Sequence, residues 1–260
     1  MHLLLCNDDG IHAEGLLSLC RALRPLGQVS VAAPHECRSA TGHAITLNRP
    51  LSASRVQLDK DLIGFSVEGT PADCVKLAVQ VLLDQPPDLV VSGINDGANV
   101  GVNLLYSGTV AGAAEAALMG IPAVAVSLQR EDSPDFAAAA FIAHGLIEQL
   151  LDVYLAPGRL VNINIPALSR GWPKGVQVVR QATDAVVDRF EPDTHGQTQW
   201  SYLLNGDFGT AAGGEQTDLR ALRAGYVTLT PVQLDLTDRA GLGVLSGRSW
   251  QLPPAQDAGR

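Results

Sequence analysis

The chain has 260 residues, of which 46% are hydrophobic and 17% charged, so it can bury a sizeable core and extensive disorder is excluded. Its 27 acidic and 18 basic residues give a formal net charge of −9. Such an acidic chain is excluded as a tight binder of nucleic-acid duplexes, which need basic surface, but a small phosphorylated substrate stays compatible because a bound cation supplies local positive charge.

Apolar runs and helical periodicities alternate along the first two-thirds of the chain. Short apolar runs predict strands, spaced leucines and alanines predict helices, and Gly, Pro and Asn mark the breaks. The predicted elements in chain order are strand 2–6, helix 15–23, strands 29–33, 44–47 and 65–68, helix 70–83, strand 89–92, helix 109–119, strand 123–127, helix 136–151 and strand 160–165. Strands separated by helices favour parallel pairing with right-handed crossovers, so the sequence predicts an α/β fold.

The pattern changes after about residue 180, which divides the chain into a core, residues 1–180, and a C-terminal region, residues 181–260. A helix over 217–224 and a strand over 226–230 are predicted there, followed by a weakly patterned tail. The polar stretch 188–214 is too long and too poor in core residues for a helix–strand unit. We expect it to form a protruding β-hairpin that packs on a neighbouring subunit.

The cysteines and the N-terminus carry no zinc-binding or targeting signal. No two of the four cysteines are spaced as C-x-x-C, and we expect Cys6 and Cys20 to be buried, reduced thiols. The N-terminus lacks a basic region followed by a long apolar run, and no apolar stretch approaches the length of a bilayer span. We therefore expect a cytoplasmic protein without a membrane partner.

Three polar segments, each following a predicted strand, are Asn7-Asp8-Asp9, Arg38-Ser39 and Asn95-Asp96. Because ligands bind at the carboxyl ends of the strands in open parallel sheets, these segments are expected to share one rim. Adjacent carboxylates repel each other unless a cation or a donor neutralises them, and carboxylate, hydroxyl and amide oxygens suit Mg²⁺, Mn²⁺ or Ca²⁺. Ordinary alternatives stay open: Asp9 as a helix cap, Ser39 as a turn cap and Asn95 in a plain connector.

The segment from Tyr106 to Gly112 opens a predicted helix. Unpaired backbone N–H groups at a helix N-terminus, together with the hydroxyls of Ser107 and Thr109, make an anion pocket. A phosphate pocket beside an oxygen-lined metal site is the arrangement that metal-assisted phosphoester hydrolysis needs.

Five motif segments occur in a fixed order along the chain. They are NDDGI at 7–11, AP at 33–34 with RS at 38–39, EGTPADCV at 68–75, SGINDGAN at 92–99 and YSGTVAGA at 106–113. Together they resemble the survival protein SurE family of nucleoside-monophosphate phosphatases. The resemblance extends over roughly residues 1–238.

The resemblance implies a Rossmann-like, three-layer αβα fold with a mostly parallel sheet, and a C-terminal region that assembles homodimers or homotetramers. It also implies a phosphatase that hydrolyses nucleoside 5′-monophosphates, with 3′-monophosphates and short polyphosphates as further candidate substrates. One divalent ion per subunit, Mg²⁺ or Mn²⁺, would be the cofactor. The expected partner is a small nucleotide, with no stable nucleic-acid partner.

By the same resemblance, the metal ligands would be Asp8, Asp9, Ser39 and Asn95, and Asp8 and Asp9 would also be catalytic. The expected phosphate- or substrate-binding residues are Arg38, Asn99, Ser107, Gly108 and Thr109. Neither His12 nor His43 is expected to have a catalytic role.

Two other classes of function fit parts of the pattern. A phosphatase of the haloacid-dehalogenase type forms an aspartyl-phosphate, but its carboxylates are usually two residues apart, whereas Asp8 and Asp9 are adjacent. A nucleotide-binding module without phosphatase activity is the second class, but G-x-G-x-x-G does not follow the first strand. Trapping of a phospho-aspartate, or nucleotide binding without phosphate release, would identify these classes.

Overall fold

The computed structural model describes residues 1–183, 187–195, 200–207 and 216–252. Its strands are β1 (His2–Cys6), β2 (Gln28–Pro34), β3 (Ala53–Asp59), β4 (Leu62–Val67), β5 (Leu89–Asp96), β6 (Ala123–Leu128), β7 (Leu160–Ile165), β8 (Val176–Val178), β9 (Val187–His195), β10 (Trp200–Asp207) and β11 (Val227–Val232). Its α-helices are α1 (Glu14–Leu23), α2 (Pro71–Leu77), α3 (Gly108–Leu118), α4 (Phe136–Val153), α5 (Asp218–Arg223) and α6 (Arg239–Ser246).

A nine-stranded sheet in the order β3-β4-β2-β1-β5-β6-β7-β11-β8 forms the centre of the molecule. The strands from β4 to β7 in this order are parallel, whereas β3 and β11 run antiparallel to their neighbours β4 and β7. Leucines of α1 and alanines of α4 pack on one face of the sheet, and apolar residues of α2 and α3 pack on the other. The predicted three-layer αβα fold with a mostly parallel sheet is therefore confirmed.

The predicted strands and helices of the buried core are present, and the differences lie at the periphery. Residues 44–47 form no strand, because the backbone N–H of Thr46 donates to Asp73 (2.8 Å) instead of to a neighbouring strand. β3 was missed because it is a largely exposed edge strand, and β8 because it has three residues. The helix predicted over 70–83 ends as α-helix at Leu77 and continues as a π-helical turn over Ala78–Leu82.

The C-terminal region contributes to two sheets. β9 pairs with β10 as the antiparallel arms of the predicted hairpin, whereas residues 196–199 and 208–214 lie outside the described residues. β11 pairs with β7 and β8 in the central sheet. The tail, which was predicted to be weakly patterned, contains most of α6 in the part that the structure describes. The domain boundary at residue 180 stays a prediction.

Among the described residues, α4 is the one helix long and apolar enough, by length and composition, to cross a membrane. The expectation that no apolar stretch approaches this length was therefore wrong. The helix packs through Phe136, Ala143 and Ile147 into the core cluster that also contains α1, and the core helix of an α/β domain passes the same test. Membrane crossing by α4 thus has only weak support.

Candidate active site at the carboxyl ends of the strands

Three chain segments meet at the carboxyl ends of β2, β1 and β5. β1 lies between β2 and β5 and is parallel to both, so the residues that follow these strands are neighbours at one rim. The backbone N–H of Arg38 donates to the carbonyl of Asp8 (2.7 Å), and that of Asp96 donates to Asp9 Oδ2 (3.3 Å). The rim therefore brings Asp8 and Asp9 together with the segments that carry Ser39 and Asn95.

Asp8 lies against the N-terminus of α3. The residue is buried (4% exposed), and its Oδ1 accepts a short hydrogen bond from the Thr109 hydroxyl. Gly108 faces the same carboxylate, since a Cβ at this position would lie 2.7 Å from Asp8 Cβ and 2.9 Å from Asp8 Oδ2. Only a residue without a side chain at 108 allows the end of the helix to approach Asp8 this closely.

Burial makes both carboxyls difficult to ionise, and repulsion by Asp8 adds to this effect at Asp9. Burial raises the pKa of Asp8, and hydrogen bonds from the Thr109 hydroxyl and from backbone amides of Gly108 and Thr109 offset this only in part. Burial also raises the pKa of Asp9, and the neighbouring charge of Asp8 adds to the effect, bringing it to about 6. A double negative charge is therefore unfavourable at this rim, and a bound cation would stabilise it.

The turn that presents the two carboxyls is fixed by Asn7. Its Nδ2 donates to Gly10 O (2.9 Å) and its Oδ1 accepts from Gly10 N (3.3 Å), while Gly10 has φ +107°, a left-handed conformation that favours glycine. α1 begins later, at Glu14, and no side chain caps it. The alternative in which Asp9 caps this helix is therefore wrong.

The other two predicted metal ligands lie in different settings. Ser39 is exposed, and its Oγ is 3.0 Å from Cys37 Sγ. Asn95 is partly buried in β5, and its Nδ2 donates to Gly97 O (2.6 Å), so its amide oxygen points away from that carbonyl. The ligand roles of Ser39 and Asn95 stay predictions, as does substrate binding by the exposed Arg38.

Ser107, Gly108 and Thr109 form the first residues of α3 and its cap. Ser107 Oγ accepts from Val110 N (3.1 Å), which makes Ser107 the N-cap of the helix. The Thr109 hydroxyl donates to Asp8, and the backbone amides of Gly108 and Thr109 also interact with this carboxyl, so the start of α3 supports Asp8 in this structure. Their role as phosphate ligands stays a prediction.

Asn99 lies in a buried amide network with residues of β6 and β7. The residue is 8% exposed, and its Nδ2 donates to Ser127 Oγ (2.8 Å). Its backbone N–H donates to Asn164 Oδ1 (2.7 Å), and its carbonyl accepts from Asn162 Nδ2 (2.7 Å). The structure thus ties Asn99 to β6 and β7, and its predicted contact with phosphate is untested.

A family model described as "Survival protein SurE" matches residues 3–188, a range that contains all the predicted site residues. The chain belongs to the SurE family. A protein named 5′-nucleotidase SurE from Symbiobacterium thermophilum is 43% identical over 252 residues, covering 96% of this chain and 98% of the relative. Another protein of that name, from Thermoanaerobacter sp. (strain X514), is 38% identical over 253 residues. The match covers 97% of this chain and 99% of the relative.

A solved SurE structure shares the fold closely. The SurE protein from Aquifex aeolicus, whose crystal structure is known, is 35% identical in sequence to this chain, and the two structures superpose with a TM-score of 0.83. The match covers 95% of this chain and 99% of the Aquifex aeolicus chain. The similarity extends over the C-terminal region as well as the core.

Arg130 supports the site from outside the SurE motifs quoted above. Its Nη2 donates to Asp96 O (2.8 Å), and its Nε lies 3.7 Å from Asp96 Oδ1. Arg130 therefore fixes the segment whose N–H binds Asp9. Its one sequence signal is its position two residues after the end of β6, where side chains reach the same rim.

Proposed function

We propose that this chain is a divalent-metal-dependent phosphatase that hydrolyses nucleoside 5′-monophosphates to nucleoside and phosphate. The observation that carries the proposal is the buried Asp8 carboxylate, which is bonded to Thr109 at the N-terminus of α3 and lies next to Asp9. Relatives named 5′-nucleotidase SurE that are 38% and 43% identical over nearly the whole chain support the reaction and the substrate class. 3′-Monophosphates and short polyphosphates are further candidate substrates.

The donor set at the rim fits a hard divalent cation. Within the described ranges, no three His, Cys, Asp or Glu side chains group as a metal site, so a carboxylate pair needs hydroxyl and amide oxygens to complete the coordination. Asp8, Asp9, Ser39 and Asn95 are the residues that would hold one Mg²⁺ or Mn²⁺. When bound, the ion would polarise a phosphoryl oxygen and lower the pKa of a bound water.

The chain's own residues would bind and orient the phosphate. The first backbone amides of α3 face the Asp8 carboxyl, and together with the helix dipole they would favour a phosphoryl group bound beside it. The Thr109 hydroxyl holds Asp8 in place, and the backbone bond from Arg38 to Asp8 O keeps the guanidinium-bearing loop beside it. Charge that develops on the phosphoryl oxygens would be stabilised by donors that are already oriented.

We also propose a cytoplasmic homodimer or homotetramer. The exposed apolar side chains of the β9–β10 hairpin support assembly, because residues such as Phe190 and Leu204 are 66% and 54% exposed in the single chain.

A phosphate-release screen tests the function. The purified chain is incubated with nucleoside 5′- and 3′-monophosphates and short polyphosphate, each with Mg²⁺, Mn²⁺ or EDTA. We expect release from 5′-monophosphates that EDTA abolishes and that Asp8→Ala reduces by at least about 1,000-fold, on the scale of losing a group essential to the chemistry. Activity of Asp8→Ala within a few-fold of the parent chain would refute the site, and a trapped phospho-aspartate would favour the haloacid-dehalogenase mechanism.

A further inference from the structure

The loop that carries Arg38 and Ser39 is attached to the molecule at its two sides. On the side of β2, the Arg38 N–H donates to Asp8 O (2.7 Å). On the other side, the Gly42 N–H donates to Tyr106 O (3.0 Å), next to the start of α3. The exposed residues from Cys37 to Ala40 lie between these two points, so their position depends on both attachments.

The second attachment includes a buried charged group that the proposed mechanism does not use. Glu115 lies in α3 among small and apolar residues and is only 5% exposed. Its Oε2 is 2.9 Å from His43 Nε2, and its Oε1 is in a short ion pair with Lys76 of α2. Because a carboxylate only accepts, His43 Nε2 carries the proton and donates.

This arrangement leaves each oxygen of Glu115 with one partner. Lys76 neutralises the carboxylate from within the helical layer, whereas His43 reaches it from the loop. A buried carboxylate oxygen that loses its donor is strongly disfavoured, so the bond to His43 is a strong constraint on the loop. The same helix α3 holds Asp8 through Thr109 at its N-terminus, so one rigid element fixes both the carboxyl and the loop.

We infer that His43, through Glu115 and Lys76, is a positioning residue that holds the Arg38–Ser39 loop over Asp8. The inference rests on the proposed function only for its kinetic consequence, since the attachment of the loop can be measured in the chain alone. This is a positioning role, not the catalytic role that His43 was expected to lack, and it does not place His43 in contact with substrate.

Hydrogen exchange and kinetics of His43→Ala and His43→Gln test the inference. We expect His43→Ala to speed exchange of the Arg38 and Gly42 amides at least about 10-fold, while amides of β1 and α3 keep their protection. The kcat/KM for phosphate release from a nucleoside 5′-monophosphate should fall about 10- to 100-fold. KM should change more than kcat, because Arg38 loses its position on the substrate. His43→Gln keeps an N–H donor of similar reach and should recover most of both losses.

His35→Ala is the matched control, because His35 lies at the start of the same loop but bonds Ser66 Oγ (3.1 Å) on β4. In His35→Ala, we expect the amide exchange rates of Arg38 and Gly42 and the rate of phosphate release to stay within about twofold of the parent chain. Substitutions away from a site usually have effects this small. Unchanged exchange in His43→Ala, or equal losses in His35→Ala, would overturn the inference. If the parent chain releases no phosphate, the proposed function fails while the exchange result still decides the role of His43.

Discussion

Asp8 and Asp9 are adjacent carboxyls whose environments differ. Asp8 is held by Thr109 at a helix N-terminus, where the dipole favours a negative charge. Asp9 accepts a backbone bond from Asp96 and is opposed by the charges of Asp8 and Asp96, whereas the charge of Arg130 favours its ionised form. Because its folded pKa of about 6 exceeds the ordinary aspartate pKa of 3.8, Asp9 favours folding below pH 3.8, and this contribution is lost as the pH rises through 6. The ion-free site is therefore less favourable above pH 6 than at acidic pH.

The contribution of Asp8 to this behaviour can be measured directly. Asp8→Asn removes the neighbouring charge but leaves the burial of Asp9, so the pKa of Asp9 should fall below about 6 while staying above 3.8. Carboxyl-carbon NMR titration of the metal-free chain measures the pKa of Asp9. Asp96→Asn is the matched control and should lower the pKa of Asp9 less, since Asp96 is the weaker of the two repulsive charges. An unchanged pKa in Asp8→Asn would show that burial alone is responsible.

Gly108 tests the close approach of α3 to Asp8. In Gly108→Ala the new methyl would meet Asp8 Cβ at 2.7 Å, so the carboxyl or the helix end must move. We expect a loss of about 1–3 kcal/mol in the free energy of unfolding and a large loss of phosphate release. Gly145→Ala in α4 is the control, because a Cβ there meets nothing within 4 Å and should stabilise the helix by up to about 1 kcal/mol. Urea unfolding and a phosphate-release assay are carried out on both variants. If Gly108→Ala were as stable and as active as Gly145→Ala, the close contact between α3 and Asp8 would be contradicted.

At the scale of elements, the start of α2 was predictable because its signals are local. Thr70, Pro71 and Asp73 have the spacing of a capping box, and the structure contains both of its bonds. The tertiary use of the same carboxylate was not predictable, because Thr46 donates to Asp73 through its N–H (2.8 Å) and its hydroxyl (2.7 Å) from 27 residues away. For the same reason residues 44–47 resemble a strand in sequence but are held by a helix N-terminus.

Asp73 should therefore contribute a pH-dependent stability. Burial alone would raise the pKa of Asp73, but the hydrogen bonds from Thr46 and Thr70 outweigh burial, and the pKa lies below the ordinary aspartate value of 3.8. A lowered folded pKa stabilises the fold above pH 3.8 and loses this effect as the pH falls below it. We expect Asp73→Asn to lower the free energy of unfolding by roughly 2 kcal/mol at pH 7 and by less at pH 3. A difference from the parent chain that is the same at both pH values, measured by urea unfolding, would contradict this.

At the scale of the whole molecule, the rule for parallel sheets was sufficient to predict which segments meet at the rim. It required only that polar segments lie at or just beyond the carboxyl ends of β1, β2 and β5, which are neighbours in the sheet. The insertion of β11 between β7 and β8 was not predictable from local patterns. β11 pairs with a strand that is distant in sequence, as in the pairs of Val232 with Leu160 and of Leu229 with Ile163, and the short strand β8 lacks a pattern of its own. Arg130 was missed for a related reason, since it lies at a strand end outside any motif.

The β9–β10 hairpin leads to a prediction about assembly. Phe190 and Leu204 are directly opposite each other across the two strands, and they are 66% and 54% exposed in the single chain. A two-stranded hairpin is marginally stable alone in water, and an exposed apolar pair gains free energy when another surface covers it. A second copy of the chain would cover it in a symmetric assembly.

We therefore expect light scattering at micromolar concentration to give a mass that is a multiple of the 27.3 kDa chain. The double substitution Phe190→Ser with Leu204→Ser should shift the mass towards that of one chain, because burial of the two side chains then contributes several kcal/mol less. Phe141→Ser is the control, since Phe141 is as exposed (68%) but lies on α4, away from the hairpin in sequence. A parent mass of one chain would refute assembly, and equal dissociation by Phe141→Ser would locate the interface on another face than the hairpin.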